Sequence, residues 1–223
     1  MKFPNAYQGV KKLFTAEILN IIAWFCMCIA AGAGVVAVIG AAPAANGASL
    51  NDAQAATLLG GGIGAAIFGG AYFVLALIAF ILTIVGLAKA RKDDANFNVA
   101  FIFLFVNLIL TFVGSLISGT VGGLLLAFGN IASLVMFIYI VLGIRSLAEQ
   151  IGNEQVAAKG KTILTILVCV YVLAFIARLV SAFTVTAVTT TISGILAIVS
   201  IVLSIIGYII FLTYLAQAKK MLA

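Results

Sequence analysis

Glu17 and Arg178 place charge, and Asn20, Asn107 and Asn130 place amides, inside long apolar stretches. Charge inside hydrocarbon is costly, so an intramembrane carboxylate or guanidinium points first to ion coupling, proton relay or substrate contact. An amide there points to a hydrogen bond between helices. Glu17 lies about 8 Å along a helix from Lys12, and Arg178 roughly 25 Å along one from Lys161. These distances put Glu17 near the inner headgroups, within reach of Lys12 or another basic neighbour, and Arg178 near the outer boundary, where its stem can snorkel. The two lie at opposite depths and are not expected to pair within one monomer. A polar path through Glu17, Asn20, Asn107, Asn130 and Arg178 stands as the alternative to anchoring and helix-to-helix bonding.

The stretch LLGGGIGAAIFGGAYF, residues 58 to 73, raises a second chemical question, because glycine-rich loops cradle phosphates. Nucleotide loops combine their glycines with a Lys-Ser/Thr pair, or follow a strand and precede an acid, and this stretch has neither feature. It also sits in an apolar run, where a lipid-exposed loop would leave backbone groups unpaired. Gly61, Ala65 and Gly69 fall four apart, as do Gly62, Ala66 and Gly70, with Gly60 and Gly64 beside them. That spacing predicts a continuous helix with a broad face of small residues, suited to close helix packing. Ala30, Ala31, Gly34 and Ala37 offer a counterpart on the preceding apolar segment.

Other chemistries are poorly provided for. The chain has no histidine, so no Ser-His or Cys-His nucleophile and no histidine metal site is available. Asp52, Asp93 and Asp94 lie outside the apolar stretches, which argues against an intramembrane aspartyl dyad. Cys26 and Cys28 are two apart, point well away from each other on a helix, and read with Cys169 as small hydrophobes. The expectation is a non-enzymatic protein without metal or cofactor.

The elements carrying these residues follow from composition. Of 223 residues 65% are hydrophobic and 8% charged, a balance suited to a bilayer. Apolar runs at 13–39, 55–88, 97–117, 124–144, 162–183 and 191–216 are each long enough to cross about 30 Å of hydrocarbon as a helix. The third and fourth separate at Ser118-Gly119-Thr120-Val121-Gly122-Gly123, a run of turn formers. The apolar run after Lys11-Lys12 is too long for the 7 to 15 residues of a cleavable signal.

Eleven of the twelve basic residues cluster at Lys2 to Lys12, Lys89 to Lys92, Arg145 to Lys161 and Lys219-Lys220, whereas 40–54, 116–123 and 184–190 contain none. By the positive-inside rule both termini face the cytoplasm of a multi-pass plasma (cytoplasmic) membrane protein. The fold class expected is an all-α polytopic bundle, a single membrane domain over 1–223, with six transmembrane helices in three outward-opening hairpins. The net charge of +6 is then accounted for by topology and anionic headgroups rather than nucleic acid. Weak likenesses among Gly86-Leu87-Ala88-Lys89, Ser146-Leu147-Ala148-Glu149 and Tyr214-Leu215-Ala216-Gln217 allow internal duplication without requiring it.

Local signals refine the ends. Ser49-Leu50-Asn51-Asp52 resembles a capping box, and Asp93, Asp94 and Asn96 are expected to cap the third helix. Two functions fit: an assembly, scaffold or accessory protein that associates through small-residue faces with membrane lipids, a second copy or another membrane protein, or a small-solute transporter or channel with its path between hairpins.

Overall fold

The computed structural model describes residues 2–45, 52–183 and 187–223, and the side chains of 2–39, 41, 52–119, 121–169, 171–172 and 205–223. Its elements are all α-helical: α1 Pro4–Ala45, α2 Asp52–Ala90, α3 Ala95–Leu116, α4 Thr120–Ile151, α5 Glu154–Phe183 and α6 Ala187–Leu222. Among the described residues five helices are long and apolar enough to cross a membrane: α1, α2, α3, α4 and the last part of α6. The chain divides into two compact units, one of Met1–Phe14 with Ile84–Ala223 and the other of Thr15–Thr83.

Helices α1, α4, α5 and α6 run well past the apolar segments, whereas α3 matches its own. The 42 residues of α1 measure about 63 Å, roughly twice the hydrocarbon thickness, and the helix continues through Gly40 and Pro43 to Ala45. The basic clusters, expected between spans, therefore sit mostly on helices. Lys11 and Lys12 belong to α1, Lys89 to α2, Arg145 to α4, Lys159 and Lys161 to α5, and Lys219 and Lys220 to α6. Extending an existing helix adds one hydrogen bond per residue fixed, so polar segments between spans stay helical until a stop signal intervenes.

Those signals are local and identifiable. After α4, Gly152 adopts the left-handed conformation at φ 82°, its N–H donates to the Glu149 carbonyl, and the Asn153 N–H donates to the Ala148 carbonyl. This is the Schellman pattern, which satisfies the last carbonyls of a helix. Asn153 then accepts from the Val156 N–H through Oδ1 and caps α5, so α4 and α5 are joined by two residues. Between α3 and α4 only 117–119 intervene, and Gly119 stands at φ 85° and ψ −162°, a region open in practice to glycine alone. The expected break at Ser118-Gly119 is where α3 ends, while Thr120, Val121, Gly122 and Gly123 already belong to α4.

One capping expectation requires correction. Asp94 caps α3 by accepting from the Asn96 N–H at 2.8 Å. Asp93 instead turns to the start of α1, where Oδ2 accepts from the Ala6 N–H at 2.7 Å and Oδ1 from Asn5 Nδ2 at 2.9 Å. A carboxylate at a helix amino terminus meets both unpaired N–H groups and the positive end of the dipole, and such a cap contributes about 1 kcal/mol. Nothing local to the sequence distinguishes Asp93 from Asp94. Of the capping box before α2, Asp52 opens the helix, and Ser49, Leu50 and Asn51 lie outside the described residues.

Packing in the first unit concentrates at the basic end. Its largest fully buried side chains are Tyr214, Phe97, Leu87, Ile144, Leu147, Leu215, Val10 and Val141, each within about two turns of a basic residue or of the short connections. Phe137 of α4 meets Phe211 of α6 edge-on with centroids 5.0 Å apart. Toward the opposite end of α3 and α4, Phe112, Leu116, Val121, Leu124 and Phe128 are exposed. Such surface is stable only against lipid or another apolar partner. In the second unit Trp24, Phe25, Val38, Leu59 and Phe73 are likewise exposed.

Candidate functional site

The polar residues expected inside the membrane divide between the two units. In the second, Glu17 is buried at 8% exposure, and Asn20 Nδ2 approaches its Oε2 at 3.5 Å, a long contact from one turn further along the same helix face. In the first, the Thr111 hydroxyl donates to Asn107 Oδ1 at 3.1 Å, and both side chains lie beside Gly129 of α4. A Cβ at Gly129 would come within 3.0 Å of Thr111 Oγ1 and 3.4 Å of Asn107 Oδ1, so the missing side chain gives this polar pair its room. Asn130, the next residue, donates from Nδ2 to the Leu126 carbonyl of its own helix at 2.8 Å. The Arg178 side chain lies outside the described residues.

Four described hydroxyls in the apolar segments behave in the same way. Thr83 donates to the Ala79 carbonyl, Ser115 to Phe112, Thr165 to Lys161 and Thr213 to Ile209, each back along its own helix. Bonds of this kind satisfy the group without aligning it with a polar atom of another helix. A row of polar groups facing a common passage would require the opposite arrangement.

The glycine run is continuous helix, as its environment requires. Its members do different things. Gly61 is buried, and a Cβ there would stand 2.7 Å from the Ala33 carbonyl oxygen and 2.7 Å from the Ala37 nitrogen of α1. Gly64 faces the same helix, with Ala33 Cβ 3.3 Å from its own Cβ position. A Cβ at Gly60, Gly62, Gly69 or Gly70 would meet nothing within 4 Å among the described residues, and neither would one at Gly34 on α1, although Ala30 is buried. Gly62, Ala66 and Gly70 are all exposed and, at four-residue spacing, make an open strip along α2, while Ala65 is half-buried beside the contact face.

Close helix approaches are also made by glycines outside that run, which the sequence did not mark as contact points. Gly9 of α1 would place a Cβ 2.6 Å from the Gly86 carbonyl oxygen and 2.7 Å from Ala90 Cβ of α2. Gly122 and Gly114 bring α4 against α3, a Cβ at Gly143 would stand 2.8 Å from the Phe97 ring, and one at Gly160 would stand 2.6 Å from the Tyr214 hydroxyl. A lone glycine within a helix costs about 1 kcal/mol relative to alanine, so its presence at Gly9 or Gly143 is itself a packing signal.

At the basic end, charge is met largely by neutral partners. Lys2 donates to the Gln150 carbonyl, Lys89 to Gln8 and Lys159 to Gln217, while Arg145 pairs with Glu149 one turn along α4. Lys219 lies over the Phe14 ring and Arg91 over the Phe101 ring, each 4.7 Å from the centroid. No protein-family model, curated protein or solved structure matches this chain.

Proposed function

We propose that this chain is a non-enzymatic integral membrane protein that works by association, as an assembly or accessory subunit, through the small-residue face of α2. The observation that carries this reading is the exposed strip Gly62, Ala66 and Gly70: among the described residues no other segment comes within 4 Å of a Cβ placed at either glycine, and the strip stands beside the Gly61 contact with α1. Small residues at four-residue spacing let a second helix approach closely in lipid, where packing rather than hydrophobicity drives association. The self-satisfied amides and hydroxyls support the same reading over a solute path.

The expected result is a species larger than the monomer when the protein is extracted from its membrane in mild detergent and run on a native gel. Gly62→Leu with Gly70→Leu should return it to monomer size without lowering the thermal midpoint, whereas Gly61→Leu should lower the midpoint. A parent chain that is already monomeric, or leucine variants that stay in the larger species, would sink the proposal. Leucine variants that associate normally but lose a solute flux would favour transport.

The orientation belonging to this reading is six spans with both termini cytoplasmic. It rests on eleven of twelve basic residues lying at alternate span ends. Reporter fusions after Asp94 and Gln155 are expected to read inside and one after Asn46 outside; an outside signal at either of the first two overturns it.

A further inference from the structure

The turn from α2 to α3 reads Lys89-Ala90-Arg91-Lys92-Asp93-Asp94, three bases followed by two acids that would largely neutralise one another in a solvated loop. Folding separates them. Asp93 is committed to the Ala6 N–H and Asn5 amide of α1, and Asp94 to the Asn96 N–H of α3. Lys89 is held by Gln8. Among the described residues neither Arg91 nor Lys92 has a carboxylate within ion-pair distance, and both are exposed.

The Arg91 guanidinium is also directed. It lies 4.7 Å from the centroid of Phe101, a ring about 9 Å along α3 from Ala95, so it is drawn down the helix toward the apolar segment. A guanidinium beside an aromatic face can still offer N–H donors to a planar or tetrahedral oxyanion, and this ring lies only four residues into the apolar run that begins at 97.

We infer that Arg91, seated on Phe101 and assisted by Lys92, binds the phosphate of an anionic phospholipid in the leaflet at the basic end. Phe101 presents an apolar body beside the acyl chains and holds the cation at phosphate depth. The two aspartates are hydrogen-bonded to helix amino termini, whose positive dipole ends offset part of their charge, and neither pairs with Arg91 or Lys92. This inference is independent of the association proposed for α2.

The test is native mass spectrometry of the full-length protein in detergent, titrated separately with phosphatidylglycerol and with phosphatidylcholine of the same acyl chains. The parent should retain phosphatidylglycerol preferentially, and Arg91→Gln should weaken that retention about fivefold, the effect of one basic side chain beside an anionic leaflet. Phosphatidylcholine retention should not change. Phe101→Leu keeps the charge but removes the ring, and should weaken phosphatidylglycerol in the same direction. Lys161→Gln, which removes an equal charge from an exposed position on α5, should have much less effect. Equal retention by parent and Arg91→Gln overturns the inference, as does an equal loss in Lys161→Gln, which would mean diffuse charge attraction. Displacement of phosphatidylglycerol by millimolar inorganic phosphate would also overturn it, since the site would then read phosphate without the lipid. A circular dichroism melt of each variant separates loss of binding from loss of fold.

Discussion

Gly9→Leu is expected to unfold the protein at a markedly lower temperature than the parent. The α1 and α2 backbones meet at this position: a Cβ on residue 9 would stand 2.6 Å from the Gly86 carbonyl oxygen, 2.7 Å from Ala90 Cβ and 2.9 Å from the Ala90 nitrogen. These are backbone and near-backbone atoms, so no rotamer change relieves the clash. The helices must separate at a point flanked by the buried Ala6, Val10 and Leu13. Overpacking in a filled core costs typically about 1 to 3 kcal/mol, and leucine here should reach the upper part of that range, with Gly9→Ala following in the same direction. Gly32→Leu is the matched control, since residue 32 has open space and gains about 1 kcal/mol of helix propensity. Circular dichroism melts in detergent decide the matter: if Gly9→Leu melts with the parent, the close approach of α1 and α2 does not exist.

A single methyl group is expected to do comparable damage at the start of α4. The Cβ of a Gly122→Ala variant would overlap the Ile117 carbonyl oxygen, with the Gly114 oxygen and the Ile117 carbonyl carbon each at 2.9 Å. The three residues joining α3 to α4 leave no slack, and Gly119 already occupies a backbone region closed to other residues. The hairpin must open or α4 must lose its first turn, and a loss of about 3 kcal/mol is expected. Gly123→Ala, one residue on and facing open space, should melt at or slightly above the parent temperature. Equal melting of the two alanine variants would mean that the turn is looser than this geometry.

The contrast between these glycines and the conspicuous run at 60–70 illustrates what sequence carries and what it does not. Clustering drew attention to Gly60, Gly61, Gly62, Gly64, Gly69 and Gly70, yet among them the close backbone approach belongs to Gly61. Periodicity states that small residues share a face, but which of two adjacent faces meets a neighbour depends on the rotation of the helix about its axis. That rotation is set by the contacts the helix makes with its neighbour, here the approach of Gly61 to Ala33 and Ala37. Isolated glycines, which carry no pattern, became visible only when a second helix was placed against them.

The two aspartates show the same division. Their type and position before α3 made capping legible, and Asp94 performs it. That Asp93 serves α1 instead depends on a neighbour more than eighty positions away in the chain. Amide pairing behaved similarly. Asn107 and Asn130 were legible as groups in need of partners, but their bonding with Thr111 and with the Leu126 carbonyl on their own helices is decided by local geometry and by the room at Gly129.

By itself, the sequence determined the apolar helical character, the first four segments long enough to cross a membrane, the alternation of basic residues and the turn at Gly119. Each of these is a property of composition or of near neighbours, governed by transfer from water to hydrocarbon and by local backbone preference. Tertiary structure alone decided which glycines carry helix contacts and that Asp93 serves α1 rather than α3. Those outcomes depend on the meeting of groups far apart in the chain, through short-range forces that fall away within an ångström or two of contact.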